Sequence, residues 1–174
     1  LPENVNALRI IQVISTAAIF FLPAYFTALI VNRKPLKLLG FNTRFNAKQL
    51  LLSLVIIFCA ALVAGSLAEI NEMIPIPKSL EVLFKKLEDD YSSQVEAISN
   101  MKTFGDYIIS IVMIALLPAV FEETFFRGGM QNLLTRSTKN PWLSIIITSI
   151  IFSIIHLSYY GFLARVCLGI VLGL

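Results

Sequence analysis

The chain has 174 residues, 57% hydrophobic and only 14% charged, with a formal net charge of +3 at neutral pH. Its mean hydropathy of +0.80 lies well outside the range of ordinary soluble domains. A nucleic-acid partner is excluded as well, because the basic residues fall in short loops between apolar runs, as the positive-inside rule distributes them.

About 20 apolar residues cross a bilayer core. Four such stretches and the start of a fifth are present, so the expected fold is all-α: a polytopic transmembrane helical bundle, one membrane domain over residues 1–174. The first span runs from about Ile10 to Val31, and neighbouring helices can re-satisfy the carbonyl that its interior Pro23 leaves free. It is too long for a signal-peptide core and has no small-residue cleavage site. Residues 32–48 carry Arg33, Lys34, Lys37, Arg44 and Lys48 and no acidic residue. This places the loop in the cytoplasm and the amino terminus outside.

The second span runs from about Gln49 to Ala68 and ends at Glu69 and Glu72. Its Ala60, Ala61, Ala64, Gly65 and Ala68 offer a second helix close approach. Pro75 and Pro77 then break the helix, and Ser79 to Met101 reads as amphipathic, with Leu80, Leu83, Phe84, Leu87 and Tyr91 on one face. Seven acidic and four basic residues between Glu69 and Lys102 suit an external segment lying on the membrane surface. A substrate-gating lid is the alternative. Residues 1–104 thus comprise two spans and this external loop.

The third span, from about Tyr107 to Phe121, leads into Glu122, Glu123 and Arg127, with Pro118 set to kink the helix one turn earlier. Glu123 and Arg127 are four apart and share a helix face; Glu122 projects roughly 100° round the axis. Each ionisable group at membrane depth costs at least about 2.5 kcal/mol, so three within six residues point to function. Gly128-Gly129 is expected to loosen the helix end, and Arg136 and Lys139 mark a second cytoplasmic loop. The carboxylates then lie toward the cytoplasmic side.

The fourth span, from about Trp142 to Leu157, holds the chain's single histidine, His156, one turn after Phe152. A lone histidine in an apolar helix is more often a hydrogen-bonded core residue than a catalyst, yet the Glu122 cluster is the nearest available partner. The fifth span begins near Phe162. Gly161, Arg165, Gly169 and Gly173 recur there every four residues as a packing stripe, and Arg165 either serves the cluster or snorkels to an interface. Cys59 and Cys167 lie in apolar runs without a paired framework and read as small lipid- or core-facing residues.

A carboxylate beside an imidazole forms a general-base pair able to activate water, and hydrolysis of a peptide bond fits. No His-Glu-x-x-His or Glu-x-x-His pattern is present, so neither a metal nor another cofactor is expected. A structural role for Glu123 and Arg127, pinning two helices, remains open on the residues alone.

Glu-Glu-x-x-x-Arg at Glu122, Glu123 and Arg127, followed in the next span by Phe-x-x-x-His at Phe152 and His156, resembles the motifs of the CPBP intramembrane proteases. That family includes the CAAX prenyl proteases and bacterial abortive-infection or bacteriocin-immunity homologues. The resemblance runs from about residue 105 to the end. It implies an intramembrane glutamic-type endopeptidase, acting on a membrane-associated and in some members lipidated protein or peptide, in the bacterial inner membrane. Glu122 would be the water-activating base with His156, Glu123 and Arg127 would stabilise and position the site, Phe152 would pack beside the histidine, and Arg165 is a supporting candidate. The family's later motif, a second histidine followed four residues on by asparagine, is absent. The sequence stops at Leu174 inside the fifth run, so a fragment with impaired activity is expected. The rival reading is a non-enzymatic scaffold or immunity protein that binds a partner.

Overall fold

A computed structural model describes residues 5–41, 46–99, 101 and 103–174. Two residues used in the charge argument, Arg44 and Lys102, lie outside that set. The described chain is helical: α1 (Val5–Val31), α2 (Pro35–Leu38), α3 (Ala47–Glu72), α4 (Lys78–Ile98), α5 (Phe104–Thr138), α6 (Pro141–Ile155) and α7 (Phe162–Gly173). Three of these, α1, α3 and α5, are long and apolar enough to cross a membrane. The fourth run and the start of the fifth are apolar helices of 15 and 12 residues, the first about 22 Å long against a hydrocarbon core of about 30 Å. The protein is an integral membrane helical protein.

Local chemistry sets where the helices begin. Asn46 opens α3 by accepting from the Lys48 amide, and Asn140 opens α6 by accepting from Leu143, with Pro141 in the first turn. Thr103 and Asp106 form a reciprocal capping box at the start of α5.

Tertiary contacts gather the chain into two units that interleave in sequence: Leu1–Phe41 with Asp89–Gly129, and Asn42–Glu88 with Met130–Leu174.

In the first unit α1 packs against the first part of α5. Both helices carry Leu-Pro-Ala, at Leu22-Pro23-Ala24 and Leu117-Pro118-Ala119. A proline ring clashes with the carbonyl four residues back, here Ile19 and Ile114. Each helix responds by widening to π geometry just before its proline, at Ala17–Phe21 and Ile111–Leu116, where the Leu22 amide reaches Ala17 and the Leu117 amide reaches Val112, five residues back. The expected kink at Pro118 is therefore absorbed as a wide turn. Ala24, Ala28 and Leu39 form the buried core, with Leu38 and Phe125 against it. Around it Phe20 meets Phe125 and Phe126 with ring centroids 5.6 Å apart, and Phe21 meets Phe121 at 5.5 Å. Arg9, fully buried, donates through Nε to the carbonyl of Ile98, the last residue of α4. A guanidinium at a helix C-terminus complements the partial negative charge there.

In the second unit α7 packs on both α3 and α6. The buried face of α6 is Ser144, Ile145, Thr148, Ser149 and Ser153, small and mostly polar. A Cβ on Gly169 would lie 2.9 Å from the Ser149 Cβ, and one on Gly173 would lie 3.0 Å from Ile145. The four-residue glycine stripe thus sets the separation of α6 and α7, as small residues do where lipid supplies no hydrophobic drive between helices. The parallel expectation for α3 holds only in part: Ala60 is buried, whereas Gly65 faces open space. Cys59 is exposed and Cys167 half-buried, both as free thiols.

Candidate active site

Glu122 and Glu123 fall near the middle of the 35-residue α5. Glu123 pairs with Arg127 at 3.1 Å across one helical turn, and Arg127 is the better buried of the two, with a side chain 12% exposed. Glu122 is half-buried, and among the described residues no cation lies within ion-pair distance of it. One carboxylate is neutralised within the helix and its neighbour is left over, as the four-residue spacing implies.

Arg127 sits in a second wide segment of α5, the π-helical Thr124–Gln131, which follows the carboxylates directly. Extra width in a helix re-aims side chains and recurs at functional sites. Thr124 satisfies part of the altered backbone by donating from Oγ1 to the Val120 carbonyl at 2.6 Å. Gly128-Gly129, expected to loosen the helix end, lie in this wide segment, and α5 continues beyond them to Thr138. Gly128 serves packing. A Cβ there would stand 2.5 Å from the Leu39 carbonyl oxygen, so only glycine lets α5 lie against that turn. The helix stops at Lys139, in the left-handed region at φ 56°, and the expected cytoplasmic loop shrinks to Lys139 and Asn140 before α6 begins.

Phe152, His156 and Arg165 belong to the second unit. His156 caps the C-terminus of α6 with its side chain exposed. Its Nδ1 lies 2.7 Å from the Phe152 carbonyl, and its ring packs on the Phe152 ring with centroids 4.6 Å apart. A carbonyl only accepts, so Nδ1 carries the proton, and when the ring is neutral Nε2 presents a free lone pair. This is the tautomer a water-orienting or proton-accepting imidazole needs. The phenylalanine four residues earlier therefore fixes the histidine twice, through its ring and through its carbonyl.

Arg165 lies beside the turn that follows His156. Its Nη2 donates to the carbonyl of Ser158, two residues after His156, which makes it a clasp on the turn between α6 and α7. Three further residues that hold this turn escape a reading of the sequence. Asn71, fully buried at the end of α3, donates from Nδ2 to the Tyr159 carbonyl at 2.8 Å. Glu88 of α4 accepts from the Ser158 hydroxyl at 2.6 Å, and the Phe84 ring stacks on Tyr159 at 5.1 Å. No local pattern marks any of them, since their partners lie some 70 to 90 positions away.

Among the described residues no three His, Cys, Asp or Glu side chains group as metal ligands would. Residues 104–174, the part that carries both motifs, match the family model of type II CAAX prenyl endopeptidases, Rce1-like. No curated protein and no solved structure matches the chain.

Proposed function

We propose that this chain, whose residues 104–174 match the Rce1-like type II CAAX prenyl endopeptidase family, is the membrane-embedded core of a glutamic-type endopeptidase. It would cleave a peptide bond in a membrane-associated, prenylated or otherwise lipidated protein, from the cytoplasmic side of a bacterial inner membrane. One observation carries the reading. Glu123 is neutralised by Arg127 at 3.1 Å, which leaves Glu122 as a half-buried carboxylate in an apolar helix without an ion pair among the described residues.

In the proposed reaction Glu122 takes a proton from water as the oxygen attacks the scissile carbonyl carbon, giving a tetrahedral intermediate. His156 accepts a hydrogen bond from the same water at Nε2 while its Nδ1 proton stays with the Phe152 carbonyl. The proton held by Glu122 then passes to the departing amine as the C–N bond breaks. Arg127, paired with Glu123 and five residues along the helix from Glu122, would offset negative charge that moves during the step. A donor set of one imidazole and two carboxylates, without His-Glu-x-x-His, favours carboxylate-driven over zinc-driven water activation.

Glu122→Gln preserves size and removes the base. Cleavage of a lipidated peptide should fall by about 10² to 10⁴, the usual worth of a general base, with membrane insertion unchanged. Convergence is tested separately by Glu122→Cys with His156→Cys in a Cys59→Ser, Cys167→Ser background, which should form a disulfide on mild oxidation. Full cleavage by Glu122→Gln would remove Glu122 from the mechanism, and absence of any cleavage by the wild type would replace the hydrolase with a partner-binding scaffold.

A further inference from the structure

We propose that Asn71 and Glu88, both outside the family match, are positioning residues for His156, acting through the turn that joins α6 to α7. The inference rests on the hydrolase reading for its kinetic consequence only.

His156 is the last residue of its helix, so the next residues decide how firmly its backbone is held. Leu157 follows at φ 51°, a left-handed conformation that disfavours a branched side chain. Such a turn persists only where its surroundings impose it. Here they do, and from three elements. Arg165 of α7 and Glu88 of α4 both grip Ser158, the first at its carbonyl and the second at its hydroxyl. Tyr159 is held at its carbonyl by Asn71, at its ring by Phe84, and at its hydroxyl by the Ile74 carbonyl, 3.1 Å away. Ser153 donates to the Phe162 carbonyl at 2.8 Å and closes the turn from the helix side.

Asn71 has a second task. Helix α7 follows Gly161, a cap residue without a side chain; the Phe162 amide is met by the Tyr159 carbonyl at 3.0 Å, and the next amide has no side-chain acceptor from the cap itself. Asn71 Oδ1 accepts from the Leu163 amide at 3.3 Å and caps α7 from 92 positions upstream. One buried amide therefore ties the outgoing end of the turn to α3, while Glu88 ties its first half to α4. The membrane segment before the motifs supplies the rigidity that the short α6 cannot give its own terminal residue.

The test uses the chain labelled with ¹⁵N-histidine, in detergent micelles. His156 is the single histidine of these 174 residues, so every imidazole signal is its own. The wild type should show one Nδ1-protonated tautomer. Glu88→Ala should give mixed or broadened imidazole signals and lower kcat by about tenfold to a hundredfold, the effect of misplacing a catalytic group by about 1 Å, with KM unchanged. Glu88→Gln retains an acceptor for Ser158 and should restore both readouts. Ser158→Ala should reproduce Glu88→Ala, and combining the two should add nothing. Unchanged imidazole signals and kcat in Glu88→Ala would overturn the assignment, as would failure of Glu88→Gln to rescue. If Glu122→Gln leaves cleavage intact, the assignment of Glu122 as base falls while the imidazole spectrum still decides the positioning role.

Discussion

Gly128 and Gly129 are adjacent, and the structure predicts opposite fates for the same substitution at each. An alanine Cβ at Gly128 would lie 2.5 Å from the Leu39 carbonyl oxygen, 3.1 Å from its carbon and 3.2 Å from its Cα, all backbone atoms that no rotamer change can move. Ordinary contact starts near 3.4 Å, so α5 and the turn must separate by about 0.9 Å. Overpacking of this kind costs about 1 to 3 kcal/mol, and the upper end applies when both sides are backbone. Alanine recovers about 1 kcal/mol of helix propensity, leaving a net loss of about 2 kcal/mol. At Gly129 the nearest atoms are the Thr124 carbonyl oxygen at 3.7 Å and the Ala24 Cβ at 3.8 Å, so alanine fits and keeps the propensity gain. Denaturant titration in mixed micelles should show Gly128→Ala destabilised and Gly129→Ala at or above wild type. Arg127 adjoins Gly128, so a displacement approaching 1 Å should also lower cleavage by about 10² in Gly128→Ala alone. Equal stability of the two variants, or a larger loss at Gly129, would refute the claim that close backbone approach explains the first glycine.

The same logic separates two glycines of the second unit. Gly169→Ala places a Cβ 2.9 Å from the Ser149 Cβ and 3.1 Å from its Cα and should cost about 1 to 3 kcal/mol, whereas Gly65→Ala meets nothing within 4 Å and should gain up to about 1 kcal/mol; a micelle unfolding series reads both, and equal effects would contradict the α6–α7 packing. Asn71→Ala should cost about 1 to 3 kcal/mol, combining a lost helix cap with a lost hydrogen bond to the Tyr159 carbonyl, which keeps the Phe162 amide. Neutral stability of that variant would mean that water replaces both bonds.

Hydropathy and charge were enough to read the helical membrane character, the break at Pro75 and Pro77, and an amphipathic helix within a few residues of Lys78–Ile98, because each depends on residues near in sequence. Boundaries suffered where two local signals competed. Gly128-Gly129 carries the low helix propensity of a terminus, yet α5 runs on to Thr138 because those glycines answer a neighbour's backbone. Pro118 signalled a distortion, and the sterics of its ring do act, but the helix can relieve them by widening as well as by bending.

The candidate site divides along the same line. The pairing of Glu123 with Arg127 and the packing of Phe152 on His156 are four-residue relations on one helix, so spacing alone anticipates them. What holds the histidine's turn is of another kind. Where lipid is the solvent, a buried polar group has to find its partner inside the protein, but nothing local says which one. Arg165 illustrates this: its position in the glycine stripe was evident, but no local pattern names the Ser158 carbonyl as its partner. Asn71 is more extreme, an uncharged amide at a helix end whose partners lie 88 and 92 positions downstream. Polar residues at the ends of apolar helices are thus poorly read as boundary markers alone. In this protein the residues that flank the spans secure the backbone on either side of His156, so substitutions far from the Glu-Glu-x-x-x-Arg segment should reach the imidazole through that turn.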